Sequence, residues 1–311
     1  MRLFKPKFWG KNHANLTVFL LLPISIILQK INLIKNKLIK EKNFNVPIIC
    51  VGNIFVGGTG KTPISMKLHE ILIKLGKKPA IIKKFYKNQF DEVNLIQKNN
   101  KNVFSKASRI EAIDAALLNK FNTMILDDGL QDKSIKKNLK IICFNNKQLI
   151  GNGFTLPAGP LREPFSSIKY SQIIIINGNQ NKKFDSEIKK ISEKISIYYS
   201  KYIPSNLNNL QNKNFLAFAG IGNPENFFQL LNDNNISVNE RKYFPDHHIY
   251  SKKEIDNLNK IAHDKNLELL TTEKDYYRLI KLGYNNINYV KIDVKIFNEE
   301  KLINQIKKCL F

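Results

Sequence analysis

The chain has 311 residues, of which 43% are hydrophobic and 24% are charged. This length and composition can build one large core or two ordinary ones, which excludes a disordered chain. Cys50, Cys143 and Cys309 lie far apart and form no C-x-x-C pair, which excludes a disulfide framework and a zinc ribbon and predicts a reducing compartment. The net charge of +24 would favour phosphate-rich partners such as nucleic acid or anionic lipid, but it comes mainly from lysine, which is also common on solvated faces, so it carries little weight.

The first predicted element is an apolar helix near the N-terminus. The run Leu16 to Leu28 is almost wholly apolar, and no formally charged side chain lies between Lys11 and Lys30. This length only just reaches the lower limit for a membrane span, and basic residues on both sides leave no charge asymmetry to orient one. We therefore predict a membrane-associated helical segment over residues 1–42 that lies on an anionic surface. A helix packed into the protein core is the alternative.

Short apolar, β-branched runs follow, separated by longer helical patterns. Their continuous apolarity predicts an α/β fold with parallel strands that are covered on both faces. The predicted strands of the first sheet are 48–51, 79–82, 123–126, 140–144 and 172–176. Two more, 215–219 and 267–270, follow a stretch rich in lysine and asparagine. We predict a parallel-sheet domain over 43–205 and a second, smaller α/β domain over 206–311.

The strand at 48–51 runs into a glycine-rich turn that ends in Gly60-Lys61-Thr62. In a phosphate loop the backbone N–H groups of such a turn face the phosphates, the lysine reaches the β- and γ-phosphates, and the threonine hydroxyl binds Mg²⁺. The pattern G-x-x-x-x-G-K-[ST] has its first glycine where this chain has Phe55. The predicted nucleotide-binding residues are Phe55, Val56, Gly57, Gly58, Thr59, Gly60, Lys61 and Thr62.

A pair of carboxylates follows the strand at 123–126. Asp127 and Asp128 come directly after its last residue, and a phosphate loop needs a metal-holding carboxylate at the end of a neighbouring strand. Asp127 is therefore the predicted ligand, together with Thr62. The chain contains no N-K-x-D element of the kind that selects guanine, so ATP with Mg²⁺ is the predicted cofactor.

Seven sequence blocks stand in a fixed order along the chain. They are Val51–Asn53 with Val56–Pro63, Leu126–Gln131, Gly151–Gly153, Leu156–Pro164, Phe218–Gly222, Phe244–His248 and Thr271–Asp275. In this order they resemble the tetraacyldisaccharide 4′-kinase family of lipid A biosynthesis. The resemblance spans Trp9 to Arg278.

The resemblance implies an ATP-dependent kinase that phosphorylates the 4′-hydroxyl of tetraacyldisaccharide 1-phosphate to give lipid IVA. It implies a phosphate-loop domain and a second α/β domain, with nucleotide and lipid headgroup meeting between them. The implied location is the cytoplasmic face of the inner membrane, where an N-terminal helix on anionic lipid brings the enzyme to its acylated substrate. Neither nucleic acid nor an obligate protein partner is expected.

The resemblance also assigns roles to single residues. Asp91 corresponds to the catalytic base for the acceptor hydroxyl and His247 to its partner, with Asp128 as the next candidate for the base. Arg162 corresponds to a phosphate or substrate contact. The metal ligands implied are Thr62, Asp127, Glu163 and Glu92. The stretch before Asp91 is shorter than in the family, and Asp132 stands where the family usually has histidine, so we assign Asp132 no role.

Two further functional classes are compatible with the same loop. A nucleic-acid-stimulated ATPase would use the positive charge, but the aromatic residues are not interleaved with basic ones as a stacking platform requires. A non-catalytic, membrane-bound nucleotide-binding module is the other alternative. ATP turnover with and without a lipid acceptor or nucleic acid separates the three.

Overall fold

The computed structural model describes residues 6–10, 16–86, 90–99, 101–246 and 248–310, and it describes only the backbone of Phe90 and Asp91. The described parts of the chain form two compact units. The large unit comprises Lys5–Phe85, Lys101–Lys201 and Lys295–Phe311, and the small unit comprises Tyr86–Asn100 and Tyr202–Val294.

An eight-stranded sheet forms the centre of the large unit. Its strands are β1 (Ile48–Gly52), β2 (Pro79–Lys84), β3 (Val103–Lys106), β4 (Thr123–Asp127), β5 (Leu139–Asn145), β6 (Ile173–Asn177), β7 (Ser196–Pro204) and β12 (Ile292–Ile296). Their order across the sheet is β12-β7-β6-β5-β1-β4-β2-β3, and the pairs from β7 across to β3 are parallel. Every residue of β1 and β4 is buried. The predicted α/β class and the five strands predicted for this sheet are confirmed.

The helices of the large unit are α1 (Leu16–Leu38), α2 (Lys61–Lys74), α4 (Arg109–Leu118), α5 (Lys182–Ile191) and α9 (Glu299–Leu310). Local sequence explains where several of them begin. The side chain of Ser108 accepts a hydrogen bond from the Glu111 N–H and caps α4, and Asn181 caps α5 in the same way. Buried residues of α2 and α4, such as Leu68 and Ala112, cover the sheet, as a parallel sheet requires.

The small unit contains a four-stranded parallel sheet and its own helices. The strands are β8 (Asn214–Ala219), β9 (Ser237–Tyr243), β10 (Glu268–Thr272) and β11 (Asn288–Val290), in the order β11-β10-β8-β9. The helices are α3 (Phe90–Lys98), α6 (Pro224–Asp233), α7 (Lys252–Asp264) and α8 (Glu273–Leu279). Pro224 occupies the first turn of α6, and Thr272 caps α8 by accepting from the Asp275 N–H; proline and threonine favour these positions at a helix start.

The two observed units differ in two places from the predicted domains, which met at residue 205. Residues 86–100 belong to the small unit, because α3 packs there against α8. The C-terminal helix α9 belongs to the large unit, where Leu302 and Ile306 are buried and Gln305 accepts a hydrogen bond from the Tyr198 hydroxyl at 2.8 Å. The chain thus passes between the units more than once.

Helix α1 is present where the apolar run predicts it, and it is long and apolar enough to cross a membrane. Only 11% of its most apolar window is buried, whereas a helix of the protein core would be mostly covered. Val18 and Ser25 are its buried residues. This exposure argues against the alternative of a helix packed into the protein core.

Candidate active site

The glycine-rich loop joins β1 to α2 at the carboxyl end of the parallel sheet. β1 lies between β4 and β5, with later strands of the chain on both of its sides. In open α/β sheets ligands bind at the carboxyl ends of the strands where the strand order reverses. The fold therefore places this loop at the expected ligand site of the large unit.

The loop is shaped by two glycines and one buried asparagine. Gly57 and Gly60 have φ angles of +114° and +86°, a region that residues with a Cβ rarely adopt. The buried Asn53 amide donates to the Phe55 carbonyl oxygen at 2.6 Å and to Thr59 Oγ1 at 2.9 Å. The start of α2 has no side-chain cap, so its first N–H groups suit an anion.

The first two residues predicted to bind nucleotide also anchor the loop. Phe55 is buried, and its backbone pairs with Leu161. The Val56 N–H donates to the Pro160 carbonyl oxygen at 2.9 Å, so it is committed to the protein itself. The part of the loop that suits phosphate is therefore Gly57–Thr62.

Asp127, at the end of β4, orients the threonine of the loop. Its carboxylate is 1% exposed and accepts hydrogen bonds from the Thr62 hydroxyl at 2.9 Å and the Ser65 hydroxyl at 3.1 Å. The ammonium of Lys83, which is 3% exposed, lies 2.6 Å from Asp127 Oδ2. A buried carboxylate needs such compensation, and the bond from Thr62 leaves the lone pairs of its hydroxyl oxygen for a cation.

Asp128 is held by the cations of the site. Its φ of +58° turns the side chain toward Arg162 Nη1 at 2.9 Å and Lys61 Nζ at 3.7 Å. Burial by itself raises the pKa of Asp128, but the charges of Lys61 and Arg162 outweigh it, so the pKa lies below its usual range. Arg109 supports the unusual backbone by donating to the Asp128 carbonyl oxygen at 2.6 Å.

Gln131 connects the remaining polar groups of the large unit's site. Its amide donates to the Asn53 carbonyl oxygen at 3.0 Å and to Glu163 Oε1 at 3.1 Å. Glu163 also lies 3.6 Å from the ammonium of Lys133. Asp132, where the family pattern has histidine, pairs with Arg109 at 3.1 Å, the same arginine that supports Asp128.

The small unit carries the other predicted site residues. The backbone of Asp91 lies in α3, but its side chain and all of His247 lie outside the described residues. The carboxylate of Glu92 lies 3.0 Å from the ammonium of Lys274, and the metal role of Glu92 stays a prediction. His248 is adjacent to the predicted His247. Its ring stacks on Phe244 and lies 3.0 Å from Glu254, so these contacts hold it within the fold.

A family model described as tetraacyldisaccharide-1-P 4′-kinase, LpxK, matches residues 17–102 and 87–310. The chain belongs to this family. The family predicted from the seven sequence blocks is therefore confirmed, and with it the kinase activity that defines the family.

Similar proteins cover almost the whole chain. The tetraacyldisaccharide 4′-kinase of Pelagibacter ubique (strain HTCC1062) is 44% identical over 311 residues, covering 99% of this chain and 98% of that protein. The tetraacyldisaccharide 4′-kinase of Rickettsia akari (strain Hartford) is 32% identical over 324 residues, with shares of 99% and 98%. The crystal structure of "apo" form LpxK from Aquifex aeolicus in complex with ATP is 26% identical, covers 95% of this chain and 100% of that chain, and has a TM-score of 0.72.

The oxygen donors of the large unit fit Mg²⁺, the cation that kinases typically use with ATP. Mg²⁺ is bound by one or two protein oxygens together with substrate phosphates, and the Thr62 hydroxyl beside buried Asp127 provides this arrangement. No group of three or more His, Cys, Asp or Glu side chains that could hold a metal occurs among the described residues. Because Lys83 and two hydroxyls already occupy the Asp127 oxygens, Asp127 fits best as the residue that orients Thr62.

Several residues that shape this kinase site escaped the sequence analysis. Asn53 and Gln131 lie inside the blocks that carry the resemblance, so their positions were visible but their roles were not. Lys83 and Arg109 lie far in sequence from the aspartates they contact. One signal was available for Lys83, because it directly follows the apolar run Ala80–Ile82 of a buried strand.

The lowered pKa of Asp128 predicts a pH dependence of stability. The unfolded chain binds a proton at a higher pH than the folded chain, so the stabilisation from Asp128 is present above about pH 4 and is lost as the pH falls through the lowered pKa. Urea unfolding measures the free energy of unfolding of the parent and of Asp128→Asn. We expect the parent to be the more stable at about pH 6, and this difference to shrink as the pH falls to about 3. Asp264→Asn, at an exposed position, is the control. A difference that does not change with pH would contradict this assignment.

Proposed function

We propose that this chain transfers the γ-phosphate of ATP to the 4′-hydroxyl of tetraacyldisaccharide 1-phosphate, the reaction of its family, and so forms lipid IVA. The observation that supports the proposal most strongly is the phosphate loop. Lys61 and Thr62 stand at the start of α2, each next to an aspartate at the carboxyl end of β4. This is the arrangement that binds the phosphates of a nucleotide and a cation together.

The side chains of the large unit each have a distinct task. Lys61 neutralises charge on the transferring phosphoryl group, and Asp128 keeps its ammonium directed into the site. Arg162 adds a second cation, which contacts the same Asp128 oxygen as Lys61. Thr62, oriented by Asp127, contributes an oxygen ligand for Mg²⁺, which when bound supplies charge neutralisation at the phosphates.

The acceptor hydroxyl needs a base. We assign this role to Asp91 with His247, on the basis of the resemblance. Asp128 is the weaker candidate, because a carboxylate whose pKa is lowered by two cations accepts a proton poorly. In the structure Asp128 is placed to hold Lys61 and Arg162 instead.

Helix α1 suits a membrane surface, and we assign it to the cytoplasmic face of the inner membrane. Its exposed side chains include Phe19, Leu20 and Ile24, while Lys30 and Lys35 lie in its second half. An apolar face with flanking lysines binds an anionic leaflet by burial and by charge attraction. A peripheral enzyme held in this way meets an acylated substrate without extracting it from the bilayer.

Replacing Leu20 and Ile24 by aspartate tests this anchor. Both side chains are exposed, so we expect the double variant to fold, to lose co-sedimentation with anionic vesicles, and to lose activity on acceptor in bilayers far more than on detergent-dispersed acceptor. The double variant Ile73→Asp/Leu118→Asp, which changes exposed apolar side chains on α2 and α4, is the matched control. Unchanged vesicle binding by Leu20→Asp/Ile24→Asp would contradict the membrane assignment.

Measuring ATP turnover under three conditions tests the proposed function against its alternatives. We expect ADP formation with tetraacyldisaccharide 1-phosphate as acceptor and little formation without it. Stimulation by single-stranded nucleic acid would favour an ATPase that uses the net charge of +24. ATP binding without turnover under any condition would favour a non-catalytic nucleotide-binding module.

A further inference from the structure

One face of α1 is attached to the large unit. Val18, Ser25 and Gln29 follow one another at intervals of seven and four residues, which places them on the same side of a helix. Val18 is fully buried and Ser25 is 1% exposed. A buried hydroxyl in such an apolar helix needs a partner.

The partner of Ser25 is the segment of residues 152–163, which we call the bridging segment. The Ser25 hydroxyl lies 3.1 Å from the Thr155 carbonyl oxygen and accepts from the Ala158 N–H at 3.1 Å. The amide of Gln29 donates to Thr155 Oγ1. Ser25 therefore accepts from one backbone N–H of this segment and shares its single proton between the Thr155 carbonyl oxygen and the Leu21 carbonyl oxygen of its own helix, which lies 3.2 Å away.

The bridging segment is itself a tight turn, with Thr155 and Ala158–Leu161 buried. The Asn152 amide donates to the Ala158 carbonyl oxygen at 2.9 Å, and the Gly159 N–H donates to the Thr155 carbonyl oxygen at 2.9 Å. A Cβ at Gly159 would stand 2.3 Å from the Phe154 carbonyl oxygen, so the chain passes too closely for any other residue. A turn packed this closely passes a displacement of one part on to its neighbours.

The other end of the bridging segment is hydrogen-bonded to the first residues of the phosphate loop. The Pro160 carbonyl oxygen accepts from the Val56 N–H at 2.9 Å, and the Arg162 N–H donates to the Ile54 carbonyl oxygen at 2.6 Å. The Arg162 side chain then reaches Asp128. Ala158, which Ser25 holds, is close to Arg162 in the sequence.

We propose that Ser25 is a positioning residue for phosphoryl transfer, which through the bridging segment holds Arg162 and the entrance of the phosphate loop in their working geometry. The helix that meets the membrane thus also braces the active site. The inference rests on the proposed function for the reaction that it affects. It adds that α1 contributes to the chemical step even when the acceptor is not in a bilayer, which an anchor alone does not do.

Ser25→Ala separates positioning from anchoring. We expect vesicle co-sedimentation to stay at the parental level, and kcat to fall by about 10-fold or more on detergent-dispersed and on bilayer acceptor alike, since small displacements of positioning groups have effects of this size or larger. The ratio of the two activities then stays parental, whereas Leu20→Asp/Ile24→Asp changes that ratio. Activity of the parent on dispersed acceptor tests the proposed function separately.

Ser171→Ala is the matched control. Ser171 is a buried serine of the same unit that donates to the Ile168 carbonyl oxygen at 2.7 Å, and we expect its loss to lower the melting temperature without lowering kcat of the folded enzyme. If Ser25→Ala does not fold, Gln29→Ala is used for the same test, with a smaller expected loss of kcat. Three results would each overturn the proposal. The first is a parental kcat in folded Ser25→Ala, and the second is a loss of vesicle binding by Ser25→Ala together with its activity. The third is an equal loss of kcat in Ser171→Ala.

Discussion

Lys61→Ala is expected to lower kcat for phosphoryl transfer by on the order of 10²–10³-fold, the size of effect seen when one charge-stabilising donor is removed from an active site. Lys61 contributes most when charge develops on the transferring group, so the loss falls on kcat more than on KM for ATP. The fold should persist, because Arg162 still pairs with Asp128 after the substitution. Steady-state kinetics with the lipid acceptor and a thermal melt measure both effects.

Lys74→Ala is the control for this prediction. Lys74 is an exposed lysine at the other end of the same helix, so its removal changes the net charge equally without touching the site. Near-parental turnover in Lys61→Ala, or an equal loss in Lys74→Ala, would show that the loop does not bind the phosphates as assigned.

Asp91→Ala and His247→Ala are expected to lower kcat by on the order of 10²–10⁴-fold, the range for loss of general-base catalysis. A base acts on the acceptor hydroxyl in the transition state, so ATP affinity should change little. If Asp91 and His247 act as one unit, the double variant is less impaired than the product of the single effects predicts. Single-turnover rates and equilibrium ATP binding separate the two quantities.

The neighbouring histidine provides the control for His247. His248 stacks on Phe244 and lies 3.0 Å from Glu254, so His248→Ala should lower thermal stability and leave kcat of the folded protein nearly unchanged. The reverse result, with His248→Ala inactive and His247→Ala active, would move the catalytic histidine by one position. Full activity in Asp91→Ala would make Asp128 the next base to test.

The buried part of the fold could be predicted because a continuous apolar, β-branched run between turn residues is typical of a strand covered on both faces. β1 and β4 are buried along their whole length, and apart from Thr123 and Asp127 their residues are apolar or glycine. Edge strands such as β9 were not predicted, because they lack such a continuous apolar run. β9 lies at the edge of its sheet and alternates between exposed and partly covered positions, and it includes Glu240, Arg241 and Lys242, so it does not resemble a buried strand.

The lysine-rich stretch after residue 179 shows a second limit of pattern analysis. The pattern contains no strand signal there and the predicted domain boundary at 205 follows it, but the stretch continues the large sheet through α5 and β7. Phe184 and Ile188 form the buried side of α5, and its lysines lie mostly on the other side. A short helix with only two buried residues is difficult to distinguish from a charged linker.

In the active site, sequence indicated the chemical groups but not their contacts. The loop and the aspartates at the end of β4 were predictable, since motif and strand fix their positions. The pairing of Lys83 with Asp127 spans 44 residues and depends on the register of β2 against β4, which no local pattern contains. The same holds for Val56, whose N–H is used by Pro160 only because the bridging segment returns to the loop.

The most direct test of the proposed reaction is to locate the phosphate that the protein transfers. Purified protein is incubated with ATP, Mg²⁺ and tetraacyldisaccharide 1-phosphate in detergent, and the product is analysed by mass spectrometry and ³¹P NMR. We expect a single added phosphate at the 4′ position, formed by the parent and not by Lys61→Ala. ATP consumption without this product, or a phosphate on another hydroxyl, would contradict the assignment of this chain as a 4′-kinase.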